Sequence, residues 1–593
     1  MSESPAELRP GFDPRLPSGV RAFVRSRESG LFLAALVVGV ASGLVVVALS
    51  LSAQFLHERL FQLAPGVRIS VAPIAQHWRI VAVCASAAVV LAVLGFFLNA
   101  RMQGKLADVV EANALHGGRM SFLGSLYITV QTLVSNGFGL SVGLEAAYTQ
   151  MCGAVAAALA RALAARRSDF RLLVACGAAA AISGAFEAPL AGAFYSFETV
   201  LGAYSVVSLA PVAASALAAS FVASRFIHHR PLAADTNFES FDVSVIGHAI
   251  AIALLCSFAG ILLMRSVAGA QRLFAATRTP PFIHLLIGGA FVGLIGWTTP
   301  SALGAGHAAL GASLAIGGAG ALSTLALIFF FKCAAVTLSL GSGFRGGLFF
   351  ASFFLGGLIG RMYSLAVWPY FPALDPHSAA LALIGMSAFG TGIIGAPIAM
   401  TCFALEMSGS LNITLGALTA CALTSLIVRE TFGYSFATWR FHLRGEALRG
   451  PQDVGWVREL RVNRLMRKDV KIIAADRTIA AARIIAPVGS SSEVFIADEQ
   501  GRYAGMASVS DLHTTAEAPD QTIATLGRFP QAYVTPQTTI RQALDLCEKY
   551  ECDRLAVVED EKSRAIVGQV TEAHLLRRYG VELERRNREQ FER

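Results

Sequence analysis

Two apolar runs, residues 30–55 and 80–100, each reach the roughly 20 residues that a spanning helix needs, and after them the apolar segments become short. Residues 122–134, 172–183 and 189–197 stay well under that length and carry glycine or proline near their ends. Such pieces do not cross a bilayer upright, and irregular backbone at membrane depth is tolerated only where protein or a water-filled cavity surrounds it. A chain of long spans mixed with half-length ones therefore points to a membrane transporter or channel. Composition agrees: 54% of the 593 residues are hydrophobic and 15% are charged, against about 25% charged in soluble domains. The remaining charge crowds into the N-terminal segment and the last third. Arg9, Arg15, Arg21, Arg25 and Arg27 precede the first span without the apolar core and cleavage site of a removable signal. The positive-inside bias places that end in the cytoplasm. Cytoplasmic flanks account for the net charge of +8, which does not call for nucleic acid as a partner.

Within this frame one carboxylate stands out. Residues 135–156 read SNGFGLSVGLEAAYTQMCGAVA, where Gly137, Gly139 and Gly143 run into Glu145 and then into a nearly uncharged helix. Glycines let a helix start present bare N–H groups to an anion, and a carboxylate at that point competes for the anion's place. An ionisable group at membrane depth beside a broken helix reads as functional. Other polar residues read as structural. Lys332, within LIFFFKCAAVTL, snorkels to an interface or pairs with an acid and is assigned no role. His307 and His377 lie in connections, His228 and His229 are adjacent, and the nine cysteines are scattered singly, so no metal or redox spacing arises. No nucleophile–base pair or phosphate loop suggests an enzyme.

An internal repeat organises the membrane region. GAAAAISGAFEAPLAGAFYSFE contains Gly177, Pro189 and Glu198; GMSAFGTGIIGAPIAMTCFALE contains Gly385, Pro397 and Glu406, each 208 residues after its counterpart. A glycine-rich helix start precedes each copy, SNGFGLSVGLEAA in one and GSGFRGGLFFASF in the other. Paired halves of broken helices mark a membrane protein whose site lies between the repeats; the spacing leaves open whether the halves are inverted. Glu198 and Glu406, late in short helices, read as acids bonded to structural partners.

These motifs resemble the chloride channel and transporter (CLC) family. AFEAPLAGAFYSFE is similar to its AFNAPLAG stretch, with Glu187 where the family usually has asparagine; GSGFRGGLFFAS resembles its second anion-site loop, and LEMSG matches a third motif. The resemblance implies an all-α polytopic fold of about 18 helices in inverted repeats, a homodimer in membrane lipid, and a separate pathway in each subunit for chloride or a related anion. It implies Glu145 as gate, ionised when it blocks the anion position and displaced when protonated. Helix-end amides at Gly143, Gly346, Gly347 and Phe349 are then anion ligands. Several positions depart from the family. GLEAA replaces GREGP. MQGKLAD replaces GSGIP, so that Gln103, Gly104 or Lys105 takes the coordinating serine's place. Thr199 stands where many exchangers have an inner acid, and Tyr434 and Phe436 both suit the site tyrosine.

After Gly445 the chain becomes charged and soluble in character. Strands over 470–474, 493–498, 503–509, 554–558 and 566–570, with helices over 478–485 and 539–550, form two similar α/β units. The doublet resembles a cystathionine-β-synthase-type (CBS) pair. In family members that bind adenine nucleotides an acid at the Asp511 position contacts ribose; the second unit has His574 there, so a dimer-supporting module without ligand is the competing reading. The expected organisation is a cytoplasmic segment 1–29, an anion-transport domain 30–443, a linker 444–461, CBS units 462–515 and 527–580, and a charged tail 581–593, with both termini cytoplasmic. The expected function is passive chloride transport across the cell membrane through a glutamate-gated pathway, without a required cofactor. Chloride/proton exchange, and a membrane-tethered nucleotide sensor, are its rivals.

Overall fold

The computed structural model describes residues 17–72, 76–102, 106–227, 243–371, 379–433, 435, 461–489, 493–514, 520–550 and 552–578. It divides into two units, Met1–Asp453 and Val454–Arg593.

The first unit is helical. Among the described residues nine helices are long and apolar enough to cross a membrane. Glu28–Phe61 and Val243–Ala276 each run 34 residues, roughly 51 Å at 1.5 Å per residue, which exceeds the roughly 30 Å hydrocarbon core. Between the spans lie broken pieces: Phe122–Gly137, Pro189–Tyr195, Ala380–Ile394 and Pro397–Ser408. One expectation changes. Residues 172–183 read as half-length, but the helix is Arg167–Phe186 and is long enough to span. Its polar first turn, with Arg167, Ser168 and Asp169, escapes a count of apolar residues. Glu187 ends this helix in the left-handed conformation, at φ 55°; its counterpart in the second half is Gly395, at φ 82°. Glycine takes that conformation freely, whereas a glutamate is held there at a cost of about 1 kcal/mol.

Helices in lipid gain no hydrophobic drive from meeting one another and rely on close packing. Small residues provide it at equivalent places. A Cβ on Gly177 would meet the Cys152 carbonyl oxygen at 2.6 Å, and one on Gly385 would meet that of Gly356 at 2.3 Å.

The repeat takes physical form as a reciprocal contact. The N–H groups of Leu190 and Ala191 donate to the Glu406 carboxylate at 2.7 and 2.9 Å. Those of Ile398 and Ala399 donate to Glu198 at 3.1 and 2.9 Å. Pro189 and Pro397 open their helices without an N–H to lose. The next two donors are left over by helix geometry, and a carboxylate satisfies both while sitting at the positive helix end. Because each copy caps the other, the halves are related by a local two-fold, as inverted repeats are. Glu198→Ala and Glu406→Ala are each expected to lower stability in detergent by about 2 kcal/mol, the scale of charge-assisted hydrogen bonds lost. Thermal unfolding checks this: a large loss in one variant and none in the other would contradict reciprocal capping.

The second unit holds two three-stranded sheets of one topology. β1 (Ile472–Ala474) pairs parallel with β2 (Glu493–Ala497), which pairs antiparallel with β3 (Tyr503–Ser508). β4 (Tyr533–Val534), β5 (Arg554–Val558) and β6 (Ile566–Thr571) repeat the pattern. Helices Ile479–Ile485 and Ile540–Tyr550 supply the crossovers. Phe495, Tyr503 and Met506 pack with Val534 and Leu555, so the two sheets share a core. The turn acids repeat too. Asp498 accepts N–H bonds from Gln500 and Arg502, and Asp560 from Lys562 and Ser563. The Arg502 and Ser563 amides above all hold these carboxyls below the usual carboxylate range.

Candidate functional site

Two glycine loops meet inside the first unit. One follows helix Phe122–Gly137 and turns through Gly139 at φ 86°. Polar bonds fix it from three directions: Asn136 Nδ2 donates to the Val142 carbonyl at 2.7 Å, a His57 ring nitrogen lies 2.9 Å from the Asn136 carbonyl, and the Ser141 N–H donates to Ser339 Oγ at 3.0 Å. The other loop joins helix Ala321–Gly341 to helix Phe349–Val367. Gly143 and Gly347 face each other, each N–H donating to the other's carbonyl at 2.9 Å.

Glu145 opens helix Glu145–Ala162 and is 4% exposed. Its Oε1 accepts the Phe350 N–H at 3.2 Å, while Oε2 is buried with no hydrogen-bond partner. A Cβ on Gly143 would lie 1.8 Å from Oε2, and one on Gly347 2.8 Å, so only glycine leaves room for the carboxylate. The acid therefore rests on the start of the opposite half's helix, where unpaired N–H groups and the helix dipole favour an anion.

Glu145, Gly143, Gly346, Gly347 and Phe349 are thus brought together, but the donors differ from those read in the sequence. The amides of Gly143 and Gly347 are spent on each other because the two loops form a backbone bridge. The N–H that reaches the carboxylate belongs to Phe350, one place beyond Phe349. Gly346 spaces the loops: a Cβ there would lie 2.4 Å from that of Val142. Gln103, Gly104, Lys105, Tyr434 and Phe436 fall outside the described residues.

Aromatic rings pack around the acid's seat. Phe349 stacks on Phe186 at 4.9 Å between centroids and meets Phe353 edge-on at 4.9 Å; Phe350 stacks on His307 at 3.7 Å. Nothing in the flanks of His307 or Phe350 had marked them. Thr199 is buried and its hydroxyl donates to the Tyr195 carbonyl at 2.7 Å. Among the described residues no group of three or more His, Cys, Asp or Glu side chains could hold a metal ion. In the second unit Asp511 pairs with Arg528 at 3.3 Å, the two side chains 36% and 67% exposed. Burial, and then Arg467, Arg578 and Arg577, hold His574 below the usual histidine range.

An acid seated on a helix start between two inverted halves of broken membrane helices defines a membrane protein built to handle anions. The family model described as voltage gated chloride channel matches residues 85–429, and a CBS domain model matches residues 528–580. The voltage-gated ClC-type chloride channel ClcB of Escherichia coli is 31% identical over 314 residues, which are 53% of this chain and 74% of that protein. A slow cyanobacterial Cl-/H+ antiporter shares the fold with a TM-score of 0.60 at 21% identity, covering 70% of this chain and 97% of that one. A eukaryotic CLC transporter does so at 0.59 and 18% identity, covering 92% and 97%. The chain belongs to the voltage gated chloride channel family, the CLC proteins, which transport anions across membranes.

Proposed function

We propose that the chain carries chloride passively across the cell membrane as a homodimer, through a pathway in each subunit that the Glu145 carboxylate opens and closes. The observation that carries this reading is the carboxylate on the Phe350 amide, in a place that only Gly143 and Gly347 leave free. Ionised, the acid fills an anion position; protonated, it gives up its charge-assisted bond and yields the position to chloride. Phe349 and Phe350 amides are the anion's donors, and partial charges of this kind bind weakly enough to permit release. The membrane domain is taken as residues 30–443, with both termini in the cytoplasm and CBS units at 462–515 and 527–580.

Chloride/proton exchange is the second reading, because the gate is itself a buried titratable group in the pathway. Against it stands Thr199, which offers a hydroxyl already bonded to Tyr195 where an inner acid would relay protons. Chloride efflux from liposomes, with external pH recorded and no proton gradient imposed, separates the two. Chloride movement without protons is expected; protons tracking chloride at a fixed ratio would establish exchange.

The CBS pair is taken to regulate this flux by binding an adenine nucleotide at Asp511. Its exposed pair with Arg528 is worth at most about 1 kcal/mol, so a ribose hydroxyl can replace it. Calorimetry with ATP on the full-length protein is expected to show binding that Asp511→Ala abolishes. Equal binding by the variant would place the nucleotide elsewhere.

A further inference from the structure

Lys332 stands within helix Ala321–Gly341 and is fully buried. A buried ammonium costs several kcal/mol unless both its hydrogens and its charge are answered. Its hydrogens are: Nζ donates to the carbonyls of Ala302 and Gly304 at 3.2 and 2.7 Å, and it lies 5.6 Å from the centre of the Phe354 ring. Its charge is not met at close range, since among the described residues no carboxylate comes within ion-pair distance of it. Neither snorkelling nor direct pairing with an acid describes this lysine. The carboxylate it interacts with through space is Glu145.

Its contacts lead to the same place. The Gly304 N–H donates to the Gly139 carbonyl at 3.2 Å. Ser339, two turns further along the helix of Lys332, accepts the Ser141 N–H. One helix thus holds, at two points, the loop that delivers Glu145. Phe354 lies one turn beyond Phe350, whose N–H bonds the carboxylate.

We propose that Lys332 is a positioning residue of the anion pathway: it pins the 302–304 segment against the Gly139 loop, and its ammonium balances the ionised gate against an incoming anion. This rests on the reading of Glu145 as gate. The ammonium favours an ionised acid and a bound anion alike, so the position stays compensated as one replaces the other. Among the described residues, Tyr148 lies on the gate's own helix, His307 stacks on Phe350 and Arg345 belongs to the facing loop; Glu145 and Cys333 are the titratable groups that act on Lys332. The 302–304 segment and helix Phe349–Val367 present carbonyls and a phenyl ring to the ammonium.

The test is chloride efflux from liposomes across pH for the wild type, Lys332→Arg, Lys332→Met, Lys332→Gln and Glu145→Gln. Without the cation, Glu145 protonates in a less acidic medium, so the Met and Gln variants are expected to move the flux profile toward alkaline pH. Lys332→Arg is expected to keep the wild-type profile. A wild-type profile in the neutral variants, beside a flat Glu145→Gln, overturns the inference, as does an Arg variant that shifts as far as the Met one. A pH-dependent Glu145→Gln would instead overturn the gate reading. Should both neutral variants fail to fold, they are combined with Glu145→Gln, where the carboxylate that the ammonium balances is already neutral. Rescue of folding is then expected, and equal instability of single and double variants overturns the charge balance, the lost bonds to Ala302 and Gly304 then accounting for the failure alone.

Discussion

Glu145→Gln is expected to abolish the pH dependence of anion flux and to hold the flux at the level that the wild type reaches only in acid. The sign follows from the geometry. The ionised carboxylate accepts the Phe350 N–H and occupies the seat at the helix start; protonation weakens that bond and removes the charge that competes with chloride. Glutamine keeps the shape and is neutral at every pH, so it behaves as the protonated acid throughout. Hydrogen bonds to a charged group contribute about 1.5–3 kcal/mol, so flux at alkaline pH is expected to rise at least about tenfold. Efflux measured over a pH series decides it. A variant that still responds to pH would mean that a different group gates.

Gly143→Ala is expected to open the pathway by a different route. The added methyl would lie 1.8 Å from Glu145 Oε2. What it strikes is the free end of a side chain, which can turn away, and the Gly143 N–H that bridges to Gly347 is untouched. The fold is therefore expected to survive while the carboxylate loses its place on Phe350. The same energy scale applies, so alkaline flux is again expected to rise about tenfold. The double variant with Glu145→Gln separates displacement from collapse. Glutamine must leave the same space, so high flux in both single variants and the double supports displacement, whereas low flux in every chain that carries alanine means the loop itself has failed.

Much of this was legible in the residues. Glycines at 143 and 347, an isolated acid at 145, and two copies of a glycine–proline–glutamate pattern are local in sequence, and each has one physical use at membrane depth. The strands and helices of the second unit follow alternation and turn residues closely enough that Arg554–Val558 agrees to the residue. What stayed hidden depends on contacts between distant segments. The bridge that spends the amides of Gly143 and Gly347 joins positions 204 apart, and no local pattern shows which N–H then remains for the carboxylate. Lys332 was visible as a cation in an apolar run, yet its partners are carbonyls of Ala302 and Gly304, which carry no sequence signature. Residues 172–183 misled for the opposite reason, since a polar first turn belongs to a helix that the protein interior buries.

The exchange of Glu198 and Glu406 between the halves also bears on how such a chain is made. As the first half leaves the ribosome, the donors of Leu190 and Ala191 wait for an acid that lies more than 200 residues downstream. A chain interrupted before Glu406 would keep two unanswered amides at membrane depth, a defect that marks it as incomplete. Two copies of a single half-length ancestor would have met no such delay: each would have offered its own glutamate to the other's proline-led helix, a self-complementary contact of the kind that closes a two-fold pair. Fusion of two such copies would turn a handshake between subunits into a seam within one chain.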